Sequence, residues 1–165
     1  MDASTPHAPG SPPAPEGAAA PGHRRPRALS RQEIDALIRR QGWGVLATSV
    51  EDRPYAVPVV YAYDGDGFVI ANAPGKKATN LAANPFVCLT ITDVKDPAVG
   101  WSSVVVLGRA RPIERLAERL AAFELLRRQR RSGGSPRLRD AALLARAIVV
   151  RIEPEEITGR TTDPV

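Results

Sequence analysis

The sequence predicts an α+β fold, a small six-stranded antiparallel β-barrel with helical cover. Three observations carry that reading. Consecutive runs rich in Val, Ile, Tyr and Phe are joined by tight polar turns. Further runs of the same kind alternate with stretches whose apolar residues recur at spacings of three and four. The chain has 165 residues, 43% of them hydrophobic, the size and composition of one ordinary domain.

Residues 1–28 are dominated by Ala, Pro and Gly and hold almost no large apolar side chains. Such a segment cannot bury enough surface to offset its ordering entropy, which predicts a disordered arm before one domain spanning 29–162. The arm lacks the apolar stretch of a signal peptide. Ser30 with Glu33 forms a capping-box pattern, Ile34, Leu37 and Ile38 make one apolar stripe, and Gly42 ends the helix. "WGVLATSV" (43–50) is the first strand, and a polar turn at Glu51-Asp-Arg-Pro leads to "YAVPVVYAY" (55–63). "DGDG" (64–67) is a hairpin signal and "FVIAN" (68–72) the third strand, so the three form a meander.

"FVCLTITD" (86–93) and "SSVVVLGRARPI" (102–113) give the fourth and fifth strands. A helix then carries Ile113, Leu116, Leu120, Phe123 and Leu126, a stripe suited to the core or to subunit packing. Ser132-Gly-Gly-Ser breaks it, a shorter helix follows, and "AIVVRIEPEEI" (147–157) is the sixth strand. Pro58 inside a strand marks an edge, a bulge or a ligand-facing position, because proline cannot donate to the ladder. Cys88, in an apolar strand, reads as a small buried hydrophobe.

Composition excludes several classes of chemistry. One cysteine allows no disulfide framework or thiolate metal cage and fits a reducing, cytoplasmic setting. His7 and His23 both lie in the expected arm, so the domain has no histidine for general-base work or metal ligation. No apolar run is long enough to cross a bilayer. The net charge of +5 invites a nucleic-acid reading, but Arg127, Arg128, Arg130 and Arg131 close a helix, where cations complement the dipole. No nucleic-acid-binding motif accompanies them.

The stretch "ANAPGKKATNLAANP" (71–85) carries the chemistry. A Pro-Gly bend delivers the chain to a helix start whose unpaired amides favour an anion, and Gly75 lets the backbone approach a ligand. Lys76 and Lys77 add two cations, which suit a phosphate dianion. Paired lysines in a loop are also common as plain solvated charge, and spacing alone does not separate the two readings. No Walker A pattern is present, so nucleotide hydrolysis is not implied.

Residues Gly44 to Asp93 closely resemble the first half of the flavin-binding split-barrel family, which includes pyridoxamine 5′-phosphate oxidases and nitroimidazole-resistance proteins. The matching elements are Leu46-Ala-Thr, Arg53-Pro54, Pro58-Val59, Asp64-Gly65, Gly75-Lys-Lys, Leu81 and Asn84-Pro85. "SVVVLGRARPI" (103–113) and "VVRIEPEEITGR" (149–160) resemble its nitroimidazole-resistance branch. The resemblance implies a six-stranded split β-barrel and FMN held in a groove between two subunits of a homodimer. By that likeness Lys76 and Lys77 hold the FMN phosphate, and Val57, Pro58, Val59 and Val60 line the isoalloxazine and ribityl chain. Ile70 and Ala71 close the same wall. Ser103 stands where pyridoxamine-phosphate oxidases place a flavin-contacting glutamine. Asn72 is open to two readings, a cofactor contact or a turn residue. Trp101 is open to two as well, a stacking partner or a subunit anchor.

Departures bear on the substrate. Ala71 replaces the histidine of the nitroimidazole-resistance branch, which speaks against drug reduction. "GRTTDPV" (159–165) lacks the Trp and Arg that grip the B6 phosphate, which speaks against B6 oxidation. The resemblance therefore implies an FMN-dependent oxidoreductase acting on a small organic molecule, with no catalytic side chain assigned. Deazaflavin is the alternative cofactor, and a non-catalytic flavin- or deazaflavin-binding or sensing protein the alternative function. A basic module that contacts nucleic acid is a third reading.

Overall fold

The computed structural model describes residues 25–96, 100–130 and 146–162. Eight strands and three helices follow in the order β1 (Arg27–Ala28), α1 (Arg31–Gln41), β2 (Trp43–Val50), β3 (Arg53–Val60), β4 (Ala62–Tyr63), β5 (Phe68–Asn72), α2 (Lys76–Ala83), β6 (Phe86–Asp96), β7 (Gly100–Pro112), α3 (Leu116–Arg130) and β8 (Ile148–Thr161). The fold class is as expected, an antiparallel split barrel with helical cover, though with more strands than six. Residues 1–24 of the expected arm lie outside the described residues, as do Ser132–Ser135 and the shorter helix after them. The last two residues of that arm, Arg27 and Ala28, pair with β8.

The sheet runs β3-β2-β6-β7-β8-β5-β4, with β1 beside β8. Its two ends, β3 and β4, are separated in the chain by one residue, Tyr61. A sheet whose outermost strands are so tethered must curl, and the result is a barrel split between β3 and β5. This corrects the single strand expected over 55–63. Tyr61 is wholly buried, its amide donates to the Gly42 carbonyl at 3.1 Å and its hydroxyl to the Ile38 carbonyl at 2.7 Å. Those bonds pin the residue at which the chain changes partner from β2 to β5.

The local signals behave as the chemistry requires. The Ser30 hydroxyl accepts from the Glu33 amide, the Glu33 carboxylate accepts from the Ser30 amide, and Gly42 takes the left-handed conformation at φ 65°. Asp64 accepts from the amides of Asp66 and Gly67 at 3.0 and 2.9 Å and pairs with Arg151, which closes the DGDG turn. Inward positions fill one core: Ile34, Leu37 and Ile38 from α1 meet Leu46, Phe68, Ile70, Leu89, Ile91, Val104, Val106 and Ile152. Outside the barrel wall, Ile113, Ala122 and Leu126 pack on Ala62, Val69 and Val149. The expected helical stripe divides there, because Leu116 and Leu120 stay 72% and 61% exposed. No described helix is long and apolar enough to cross a membrane.

Candidate functional site

The site is built from the β2–β3 hairpin, the end of β5 and the start of α2. Glu51 and Asp52 form a two-residue loop with φ 51° and 57°, the conformation that matches the twist of antiparallel strands. The Tyr61 amide bond to Gly42 fixes the phase of β3. With Trp43 opposite Val60, the odd-numbered residues of β3 direct their amides toward β2. Pro54, Ala56, Pro58 and Val60 therefore face the open edge, and the two prolines fall where a missing donor breaks no ladder bond.

The opposite side of the split is β5. Strand β4 pairs only with Phe68 and Val69, so Ile70, Ala71 and Asn72 keep one edge without a strand partner. The Asp64–Gly67 turn returns β5 alongside β3, and the two strands touch. The expected lining residues Val57–Val60 and Ile70–Ala71 thus lie along two facing strand edges. Their side chains divide: Val59 and Ile70 are buried in the core, Val57 and Ala71 are half-buried, and Pro58 and Val60 are exposed. Val59 and Ile70 can offer a ligand only their backbone.

Gly75, at φ 153°, makes the bend that only glycine adopts easily, and no side chain caps α2 behind it. The first amide with an intrahelical acceptor is that of Thr79, at 3.0 Å from the Gly75 carbonyl. The amides of Lys76, Lys77 and Ala78 lack such acceptors, as helix geometry requires. Two asparagines clamp the helix to the hairpin. Asn80 donates to the Thr48 hydroxyl at 3.0 Å, Thr48 donates to the Tyr55 carbonyl at 3.2 Å, and Asn84 donates to the Ser49 carbonyl at 2.8 Å.

The lysines differ in setting. The Lys76 ammonium lies 5.1 Å from the centre of the Tyr55 ring. Lys77 is half-buried, and burial pushes its ammonium below the ordinary lysine pKa. Among the described residues neither lysine has a carboxylate partner, whereas Arg27, Arg39, Arg40, Arg109, Arg111, Arg127, Arg128 and Arg151 all do. Two unpaired cations beside three free amides can bind an anion strongly. Those eight arginines are offset by carboxylates, Arg127 and Arg128 sharing Glu124, so the basic surface is interrupted. Tyr55 and Asn80 were not singled out by the sequence. Tyr55 sits at an inward alternate position beside the turn, which is the one signal that marks it.

Asn72 ends β5 with a side chain only 2% exposed and with neither its amide nitrogen nor its amide oxygen bonded. The turn reading for this residue is thereby corrected, since the side chain holds no turn amide. Ser103 stands apart, on the outward face of β7. The register Pro58–Val45–Thr90–Val105 puts β3 and β7 three strand spacings apart, about 14 Å.

That outward face is apolar and uncovered. Trp43 and Val45 of β2, Val60 of β3, Phe86 and Val94 of β6 and Leu107 of β7 are all exposed, Trp43 at 47% and Phe86 at 50%. Trp101 lies there, opposite Val94. Cys88 does too, half-exposed and opposite Leu107, which corrects its expected burial: its residue number has the outward parity of Phe86 and Thr90.

The sequence pattern of the pyridoxamine 5′-phosphate oxidase family matches residues 30–161. An uncharacterized protein of Rhizobium meliloti (strain 1021) is 30% identical over 142 residues, covering 81% of this chain and 93% of its own. A crystal structure of an FAD-binding protein from Mesorhizobium loti is similar with a TM-score of 0.67 at 29% identity, over 82% of this chain and 97% of that one. A candidate 5-nitroimidazole antibiotic resistance protein from Bacteroides thetaiotaomicron superposes with a TM-score of 0.68 at 21% identity, over 84% and 89% of the two chains. At that identity the second likeness is one of fold.

Proposed function

Since the chain belongs to the pyridoxamine 5′-phosphate oxidase family, we propose that it is a flavin-dependent oxidoreductase acting on a small organic molecule in the cytoplasm. In this reading FMN lies in the cleft between β3 and β5 of a homodimer. The observation that carries it is the unpaired lysine pair at the uncapped start of α2. The donor set fits a phosphate: two ammonium groups and free helix amides, on a helix tied down by Asn80 and Asn84. The cleft edges formed by Val57–Val60 and Ile70–Ala71 suit a flat ring system and its chain, through backbone groups and the exposed faces of Pro58 and Val60.

Bound flavin supplies the hydride or electron chemistry. The chain's own residues bind, orient and exclude water. Lys76 and Lys77 neutralise the phosphate, and Tyr55 limits where the Lys76 ammonium can go. The uncovered apolar sheet face supports the dimer, because exposed patches of this kind mark protein contacts. Ser103 lies on the outward face, three strands from β3 and away from the β3–β5 edges, so in this reading it serves the cofactor of the second copy.

A second reading, flavin or deazaflavin binding without turnover, draws on the absence of any histidine or acid–base pair beside the lysines among the described residues. Mass spectrometry of the co-purifying small molecule separates FMN from FAD and deazaflavin. Replacing Lys76 and Lys77 together with Ala is expected to raise the FMN dissociation constant by about 100-fold, from two charge-assisted contacts, while melting stays cooperative. Equal FMN affinity in that variant would remove the phosphate assignment.

A further inference from the structure

We propose that Lys77 is a site of acylation by acyl phosphates, a modification that switches the cofactor site off; the proposal rests on the phosphate reading above. The first observation is the choice of cation. The chain holds 20 arginines and only three lysines, Lys76, Lys77 and Lys95, and two of the three stand side by side at the start of α2. A site that needed positive charge alone would accept arginine, which grips a phosphate with two parallel hydrogen bonds. An amine can do what a guanidinium cannot, which is to lose its proton and attack a carbonyl carbon.

The two amines differ in setting, and the difference divides their roles. The Lys76 ammonium lies 5.1 Å from the centre of the Tyr55 ring, an attraction that only the cation feels. Lys77 is half-buried, and burial favours its neutral amine. Lys76 is thus the fixed charge and Lys77 the nucleophile. No side chain caps α2, and its first amide with an intrahelical acceptor is that of Thr79, so a departing phosphate meets donors already in place. An acyl phosphate suits this pair because its carbonyl carbon sits one bridging oxygen from phosphorus. A phosphate docked on Lys76 and the free amides brings that carbon beside the neighbouring amine. The neutral Lys77 nitrogen attacks the carbonyl carbon, a C–N bond forms, and the C–O bond to phosphate breaks. Inorganic phosphate leaves with the bonding pair, the nitrogen gives one proton to solvent, and an uncharged amide remains. The flavin phosphate then meets one cation fewer, so acylation and flavin binding oppose each other.

Flavin-free protein treated with acetyl phosphate, with the occupancy of each lysine followed by peptide mass spectrometry, tests the proposal. Lys77 should acetylate about tenfold or more faster than Lys76 or Lys95, because docking presents the carbonyl to it. Inorganic phosphate and FMN should each protect it. Acetylimidazole, an acetyl donor without a phosphate, should show a smaller preference. The acetylated protein should bind FMN about tenfold or more weakly, whereas Lys77→Arg, charged and inert to the reagent, should keep its FMN affinity through the same treatment. Lys77 acetylating no faster than Lys95 overturns the proposal, and an equal preference with both donors overturns the acyl-phosphate assignment. Unchanged FMN affinity after acetylation overturns the switch. Protection by inorganic phosphate but not by FMN keeps the acylation site and removes the flavin reading; FMN binding by a protein whose Lys77 shows no preference does the reverse.

Discussion

Lys77 couples burial to charge, and the coupling has a sign. Burial lowers its pKa below the usual 10.5, so in the flavin-free protein the charged ammonium costs stability at pH values below that lowered pKa. The cost fades as pH rises from the folded-state pKa toward 10.5. An anion beside Lys77 favours the protonated form. In the proposed flavin reading, phosphate affinity is therefore highest below the lowered pKa and falls as pH rises through it. In Lys77→Arg the guanidinium stays charged, and the fall should disappear; fluorescence titration of FMN from pH 7 to pH 10 in the two proteins measures the difference. An identical decline in both would show that Lys77 does not titrate against the ligand. At this scale the sequence was informative about charge and silent about pairing. It marked Lys76 and Lys77, but that their partners are missing, and that Tyr55 sits under Lys76, depends on strands that meet only in the fold.

Elements differ in how openly the sequence declares them. The Ser30–Glu33 box, the Gly42 stop and the DGDG turn are local chemistry, legible because each is completed within four residues. The break at Tyr61 was not legible, since 55–63 reads as one strand and only the tether to Ile38 and Gly42 divides it. The β2–β3 turn shows a local choice at odds with its geometry. Glu51 and Asp52 both hold positive φ, which Asp tolerates and Glu takes only at a cost. Changing them to Asn and Gly, the residues this turn favours, should stabilise the protein by about 1 kcal/mol. Thermal melting of the double variant checks this, and a lowered melting temperature would mean that the two acidic residues make contacts worth more than the strain.

For the whole molecule the question is what covers the outward sheet face. Alternation along each strand divides inward from outward residues in the fold, but a sequence cannot say that an outward row of Trp43, Val45, Val60, Phe86 and Leu107 stays bare. A second copy is the proposed cover. Leu107→Lys, placed within that row, should shift the protein from dimer to monomer in light scattering at micromolar concentration and weaken FMN binding at least tenfold, as expected for a charge at a desolvated centre. A variant that remains dimeric would place the subunit contact on another surface. The same barrel has one long open margin, and its two prolines have a consequence beyond the cofactor. Of the four β3 residues whose backbone looks outward, Pro54 and Pro58 have no hydrogen to offer. A stray extended peptide therefore finds only half a template there. In the flavin reading this margin admits a small molecule while giving cross-β growth a poor start.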